Sequence, residues 1–475
     1  MTRAVELTNK QRTLIFINIL ISCIASYMLV TALTTALPAI VREFDIPVTT
    51  GQWITSGYTL AMGVMLPLTA FLITRFPARR LYIFAILLFL FGLAVSMVSP
   101  NFPVMMIGRV CQACGNGILT AMAEVILLSI YPPERKGTIM GWYGLAVGAA
   151  PVVAPMLAGL IVDSHSWRLI FLAAIVIMLV SLGSALKVFR NVLDTRESKF
   201  DIASFVLSIL TFGGITLGIG NIGGVGDVKT SVVLPLIVGV VAGVVFVRRQ
   251  FRIETPFLDL RVLKYRSYAL AAVGSMLFYF VMMGAAILLP LYVQVVMGRS
   301  ATLSALVILP GSLAAVIMSP FAGRIFDKTG IRPLLLLGGL LTVVSNLGMF
   351  LITMDTPLWV ASVLNVLRYT TVGCLITSLI TWGAGGVDKS LTAHAAALLA
   401  SLRMVAGAIG TAVFVGIMTL VQNNSAARLG EQAPIHGVNI TFLWMTAFSL
   451  GLVVIGILSV KRKKKAPPED TGTRS

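Results

Sequence analysis

The chain has 475 residues, 57% of them hydrophobic and only 11% charged, with a net charge of +18. A water-soluble fold of that size and composition would lack the polar surface to stay dispersed, so a soluble enzyme is excluded and a membrane-embedded protein is expected. Apolar stretches of about 20 residues, the length that crosses a bilayer, recur almost from Arg12 to Lys461 and leave no room for a sizeable soluble domain.

In chain order the expected spans are 13–36, 53–74, 81–100, 104–130, 138–162, 168–187, 201–221, 231–247, 268–296, 302–322, 334–353, 358–382, 391–421 and 440–460. They describe an all-α polytopic membrane protein of fourteen helices. The first span is too long for a signal peptide and lacks a small-residue cleavage site, so it is expected to remain as a helix.

A net charge of +18 in a soluble protein would suggest nucleic acid, but here the cations alternate between loops. With the N-terminus inside the cell, Arg42, Arg168, Lys229, Arg299 and Arg428 lie outside and Arg109, Arg368 and Arg403 lie within the membrane. The other lysines and arginines then fall on cytoplasmic loops and tails, as the positive-inside rule requires. A multi-pass protein of the plasma or inner membrane with both termini cytoplasmic is expected, and no nucleic-acid partner. The tail Lys461-Arg462-Lys463-Lys464-Lys465 reads as an anchor to anionic lipid, and all six tryptophans fall at or near span ends.

Cys23, Cys111, Cys114 and Cys374 all sit inside spans, so no disulfide framework is expected. The CxxC of Cys111 and Cys114 lacks further metal ligands and reads as small residues packing a helix. No Walker sequence and no Ser/His/Asp set is present. The chain is therefore read as binding no cofactor or metal and as not an enzyme.

Two loops repeat at a constant offset. Pro67 to Arg80 reads P-L-T-A-F-L-I-T-R-F-P-A-R-R and Pro320 to Pro333 reads P-F-A-G-R-I-F-D-K-T-G-I-R-P, so Pro67 matches Pro320, Arg75 matches Lys328 and Arg79 matches Arg332. Corresponding cationic turns on one side imply two parallel halves of six helices with two extra helices between them. The expected layout is a cytoplasmic N-terminus at 1–12, a six-helix bundle at 13–190, the inserted pair with its linkers at 191–266, a second six-helix bundle at 267–460 and a basic tail at 461–475.

These loops resemble the cytoplasmic signature G-x-L-x-D-R-x-G-R-R of the major facilitator superfamily. The resemblance implies a latch between helices formed by Arg75, Arg79 and Arg80 in the first copy and by Gly323, Asp327, Lys328, Gly330 and Arg332 in the second. The first copy has Ala70, Thr74 and Pro77 at the Gly, Asp and Gly positions, so it lacks its acid. Arg109 to Gly115 resembles the family's R-x-x-Q-G-x-G, and Ala150 to Gly159 resembles its antiporter motif G-P-x-x-G-P-x-x-G-G, keeping Pro151, Pro155 and Gly159. Over nearly its whole length the chain is most similar to the fourteen-helix drug:proton antiporters of EmrB/QacA type, and among those to the lincomycin-resistance exporters.

In that family the first helix carries an acid for the coupling proton, but Leu29 stands at the acidic position and Thr34 at the usual asparagine. On the fourth span Arg109, Gln112, Asn116, Thr120 and Glu124 are spaced three or four apart, which puts them on one face of a helix. Lipid would leave such a polar stripe costly, so it is expected to face a central cavity. Glu124 is the sole carboxylate well inside the spans and the candidate for a relocated proton site, with Arg109 as its partner in coupling or as a brace for backbone carbonyls. The resemblance adds Tyr27, Trp53, Tyr58, Tyr292 and Gln294 to the cavity, each equally compatible with packing. Arg368 and Arg403 are further cavity candidates, open between pairing with Glu124 and contacting lipid headgroups.

The function these readings imply is secondary active efflux by alternating access. Small lipophilic or amphipathic compounds, neutral or monocationic, leave in exchange for protons, with membrane lipids as further partners. A periplasmic adaptor is compatible with the layout, depending on the host envelope. The alternative is a facilitator or importer of an anionic metabolite without proton antiport, motivated by Leu29 and the three intramembrane arginines. A non-transporting membrane scaffold is the remaining rival.

Overall fold

Within lipid a backbone must satisfy its own hydrogen bonds, and the helix does so within a single segment. In a computed structural model, which describes residues 7–46, 48–51, 53–193, 195, 201–220, 229–253, 256, 258–388 and 391–459, the apolar runs are helices throughout. The first six long helices are α1 (Asn9–Glu43), α2 (Trp53–Arg75), α3 (Ala78–Met97), α4 (Phe102–Ile130), α5 (Lys136–Ser164) and α6 (Arg168–Val188). An inserted pair follows, α7 (Ile202–Ile219) and α8 (Thr230–Arg252). The last six are α9 (Arg266–Leu291), α10 (Ala301–Thr329), α11 (Arg332–Phe350), α12 (Leu358–Gly385), α13 (Thr392–Leu429) and α14 (Ala433–Leu458). By length and composition there are 13 candidate spans among the described residues, the last of which runs from Thr392 to Leu458 and contains both α13 and α14. Gly430, at φ 50°, takes the left-handed conformation that a residue without Cβ tolerates, and the chain reverses there so that α13 and α14 pack together.

Helix α1 outruns its expected span of 13–36 because its polar ends are held. In α1 the Thr8 side chain accepts from the Gln11 N–H while the Gln11 side chain accepts from the Thr8 N–H, the reciprocal pair that starts a helix. At its other end Glu43 pairs with Arg168 and accepts from the indole of Trp167. Apolar composition marks only the lipid-exposed part of such a helix. The inserted helices carry π turns at Ile209–Gly213 and Lys229–Val233, a local widening that sequence periodicity does not report.

Packing repeats with the sequence. The contacts α1·α5, α1·α6, α2·α4, α3·α4 and α3·α6 recur as α9·α13, α9·α14, α10·α12, α11·α12 and α11·α14. The two sets of six helices thus pack alike, as the repeated loops of the sequence imply. Between the bundles α5 meets α10, and α2 meets α13. In α4, 89% of the spanning window is buried, against at most 56% in any other span, so α4 is the most enclosed helix. Lipid-exposed apolar side chains such as Phe91, Met156, Leu160, Val180 and Ile317 cover the outside.

The α5·α10 seam is built on backbone proximity. A Cβ on Gly323 would strike the carbonyl of Gly137, and one on Gly141 would strike Ser319 and Pro320; only glycine lets two helices approach so closely. Ser319 donates from Oγ to the Gly141 carbonyl at 3.0 Å. These contacts lie toward the end of the molecule that carries the loops at 76–77 and 330–331, here termed the basic face.

The inserted pair leans on the opposite seam, with α7 touching both α2 and α13. Asp201 caps α7 and receives Nε and Nη2 of Arg249, both at 3.0 Å. Burial raises the Asp201 pKa, but the hydrogen bonds from Arg249 and Ser204 outweigh it and hold the carboxyl at about 2. A depressed acid contributes stability that is present above its unfolded pKa, near 3.8, and is lost as the pH falls through the folded value. Asp201→Asn is therefore expected to melt at a lower temperature than the parent at pH 5, with the difference vanishing as the pH falls through about 2, measured by thermal unfolding in detergent.

Candidate functional site

The polar residues of α4 form a connected series, but they do not all look the same way. Near the end remote from the basic face, Arg109 donates from Nε to the Ile54 carbonyl of α2 at 3.0 Å and from Nη1 to Gln112 Oε1 at 2.7 Å. Its guanidinium lies 4.1 Å from the ring centre of Tyr58. Gln112 is turned into α3, donating to the Gly92 carbonyl and to Ser96 Oγ, both at 2.9 Å. Asn116 donates to the Tyr58 hydroxyl at 2.8 Å and accepts from Thr120 at 3.2 Å. The expectation of one stripe facing a cavity is thus corrected. A shift of three residues turns a side chain 60° back, enough to aim Gln112 at a neighbouring helix.

Only the far end of the series crosses between the halves. Glu124 lies 3.7 Å from Nη2 of Arg403 on α13, and both side chains are buried. Of the arginines left open by the sequence, Arg403 is the one that meets Glu124. Its guanidinium sits 5.3 Å from the ring centre of Tyr279 on α9, a cation–π distance. Tyr27 reaches Thr120 and stands, with Tyr143 and Tyr279, within electrostatic range of the pair. Among the described residues Arg403 Nη1 is buried without a hydrogen-bond partner. Fifteen residues of helix separate Arg109 from Glu124, about 22 Å along the axis, so the two do not share a site.

Arg368 is fully buried in the second half. It donates to Asn365 Oδ1 at 2.5 Å, and its Nε and Nη1 have no partner among the described residues. The pair Asn365/Arg368 echoes Arg109/Gln112 with the roles exchanged, since Asn365 donates to the Ile308 carbonyl much as Arg109 donates to that of Ile54. The remaining cavity candidates are scattered. Tyr58 is buried beneath Arg109, Trp53 is 40% exposed at the start of α2, and Gln294 is exposed in the π turn after α9. Tyr292 is packed in the apolar cluster with Leu288 and Phe442 and donates to the Thr353 carbonyl at 3.2 Å. That placement takes it out of the space between the halves.

Leu29 and the antiporter segment face each other. Leu29, Ala25 and Ala32 of α1, with Ala154 and Ala158 of α5 and Ala174 of α6, line an apolar cavity of about 120 Å³. No polar group stands where the resemblance places a proton carrier. Gly159 has nothing within 4 Å of a would-be Cβ, so it is not a close-packing position. The tight glycines of α5 are Gly137, Gly141 and Gly144, against α10 and α12. Pro151 is half-buried in α5, and the side chain of Pro155 lies outside the described residues.

At the basic face the second loop copy reaches across the seam. Asp327 accepts from the N–H groups of Gly137 and Thr138 and from Thr138 Oγ1, each at 2.6 Å. A carboxylate on the first turn of α5 meets both the orphan donors and the positive end of that helix. In the first copy, Thr74 bonds, among the described residues, only to the Phe71 carbonyl of its own helix. Arg79 donates to the Leu186 carbonyl at 2.6 Å and so braces α6 within the first half. Arg75 lies 5.9 Å from the ring centres of Phe71 and Phe76. Arg80, Lys328 and Arg332 are exposed, and Gly330 ends α10 at φ 80°. The basic tail lies outside the described residues.

Sequence reasoning missed Tyr279, Tyr143 and Thr138, because each acts on a residue more than 18 positions away and none sits in a motif. His394 accepts from the Asp259 N–H at 3.3 Å, a loop contact. All four cysteines are free. Among the described residues no group of three or more His, Cys, Asp or Glu could hold a metal ion.

The sequence profile of the Major Facilitator Superfamily matches residues 19–411. A lincomycin resistance protein of Listeria monocytogenes, LmrB, is 33% identical over 433 residues, covering 90% of this chain and 92% of its own. A riboflavin transporter of Clostridioides difficile, RibZ, is 26% identical over 85% of this chain and 88% of its own. Among solved structures the human organic anion transporter MFSD10 superposes with a TM-score of 0.64 at 15% identity, covering 93% of this chain and 100% of that one, a likeness of fold.

Proposed function

Since the chain belongs to the Major Facilitator Superfamily and is a membrane transporter, we propose that it exports lipophilic or amphipathic compounds, neutral or monocationic, in exchange for protons. It sits in the plasma or inner membrane with its basic face and both termini in the cytoplasm, in line with the distribution of lysine and arginine. The observation that carries the reading is the ion pair between Glu124 and Arg403, which joins the two halves through buried side chains of opposite charge.

The conformation described is closed at the basic face by the α5·α10 seam, and in this reading a charged Glu124 holds Arg403. A proton arriving from outside neutralises Glu124, and an uncharged carboxyl no longer holds the guanidinium. The seam then loosens, the cavity opens toward the cytoplasm, and substrate enters as the proton leaves. Arg109 braces α2 against α4 and takes no part in this exchange. Resemblance to lincomycin-resistance proteins supports export of a drug-like compound.

Proteoliposomes with an imposed pH gradient test the reading. Uptake of a neutral amphipathic antibiotic and of a monocationic dye is expected to rise with the gradient and stop when it is collapsed. Faster movement of a bis-cationic dye than of either would overturn the substrate class. The second reading, a facilitator or importer of an anionic metabolite, draws on the two unpartnered donors of Arg368. Flux of an organic anion that ignores the gradient and is lost in Arg368→Gln would favour it.

A further inference from the structure

A groove of about 350 Å³ opens between the inserted helices α7 and α8 at the basic face. Its floor is apolar, from Ala203 and Leu207 on α7 and Val245 and Ile253 at α8, and its rim carries Arg248 and Arg252. Arg249 also borders the groove, but its guanidinium is taken by Asp201 in a two-pronged pair that fixes the spacing of the two helices. Arg248 and Arg252 are exposed, lie one helical turn apart on one face of α8, and have no acidic partner among the described residues.

We propose that this groove binds one anionic phospholipid, its phosphate between Arg248 and Arg252 and an acyl chain along the apolar floor. Two guanidiniums a turn apart, without an acidic partner among the described residues, match the oxygens of a phosphate, which arginine engages through a planar fork of donors. The apolar floor below them has no use for a free inorganic anion and matches a hydrocarbon chain. The groove lies where an apolar span passes into a basic loop, the depth of lipid phosphates. Occupancy ties α7 to α8 beside the α2·α13 seam, so the lipid anchors the inserted pair where the two halves move against each other. The assignment does not depend on what the central site transports.

Lipid adducts of the purified full-length protein, delipidated and mixed with phosphatidylglycerol or phosphatidylcholine, are counted by native mass spectrometry. One tightly held phosphatidylglycerol is expected. Arg248→Gln/Arg252→Gln should weaken it about 30-fold, the effect of two interfacial cations, and Arg248→Lys/Arg252→Lys should keep most of it. Arg190→Gln/Lys264→Gln, which removes two exposed cations on the same face, should bind as the parent does. Leu207→Gln should lose the lipid with both arginines intact. Equal retention of phosphatidylcholine, equal loss in the two glutamine pairs, or displacement of phosphatidylglycerol by millimolar inorganic phosphate would each overturn the proposal, the last by showing a free-anion site.

Discussion

Glu124→Gln is expected to cut gradient-driven export steeply while leaving the protein folded and able to bind substrate. Glutamine keeps the size and an acceptor oxygen but cannot gain or lose a proton, so the loss falls on coupling. A drop of roughly 100-fold in gradient-dependent flux is expected, within the range of coupling between two sites. The same change leaves Arg403 buried without its counter-charge. Removing one member of a buried pair costs about 3–5 kcal/mol, reduced here because the glutamine oxygen still accepts. Glu124→Gln/Arg403→Met should recover thermal stability without recovering transport, since it removes both charges together. Two measurements on each variant, flux in proteoliposomes and thermal unfolding in detergent, separate the roles. If Glu124→Gln exports with an undiminished response to the gradient, the proton site lies elsewhere.

Asp327→Ala is expected to shift the balance of conformations toward opening at the basic face. Three hydrogen bonds to a charged acceptor are lost, each worth about 1.5–3 kcal/mol when fully enclosed. The carboxylate is only half-buried, which lowers that figure, and a shift of about 10- to 100-fold in the ratio of closed to open forms is a fair expectation. Distances between spin labels at the basic ends of α5 and α10 report the ratio directly. Thr74→Ala, at the matching position of the first copy, should change nothing, because Thr74 bonds only within its own helix. Equal effects of the two substitutions would show that Asp327 does not hold the seam.

The contrast between Asp327 and Thr74 also shows how much was legible beforehand. Fourteen apolar runs, the 253-residue offset between Pro67 and Pro320, and the acid present in one loop copy and absent from the other are all linear features of the chain. They are legible because a bilayer imposes length and polarity on every crossing segment, whatever its neighbours. The solitary intramembrane carboxylate was visible for the same reason, since a charge in an apolar run stands out without any structure.

What tertiary structure decided is direction. Arg109, Gln112, Asn116, Thr120 and Glu124 look like one stripe on paper, and packing sends Gln112 to α3, Asn116 to α2 and Glu124 to α13. Arg368 and Arg403 were interchangeable in the sequence, and only the approach of α13 to α4 chose Arg403. Tyr292 has the composition of a cavity residue and the location of a core one. Helical periodicity fixes a side chain's angle on its own axis, while the partner it meets depends on how separate helices cross, and that is set by shape and close-packing across hundreds of residues.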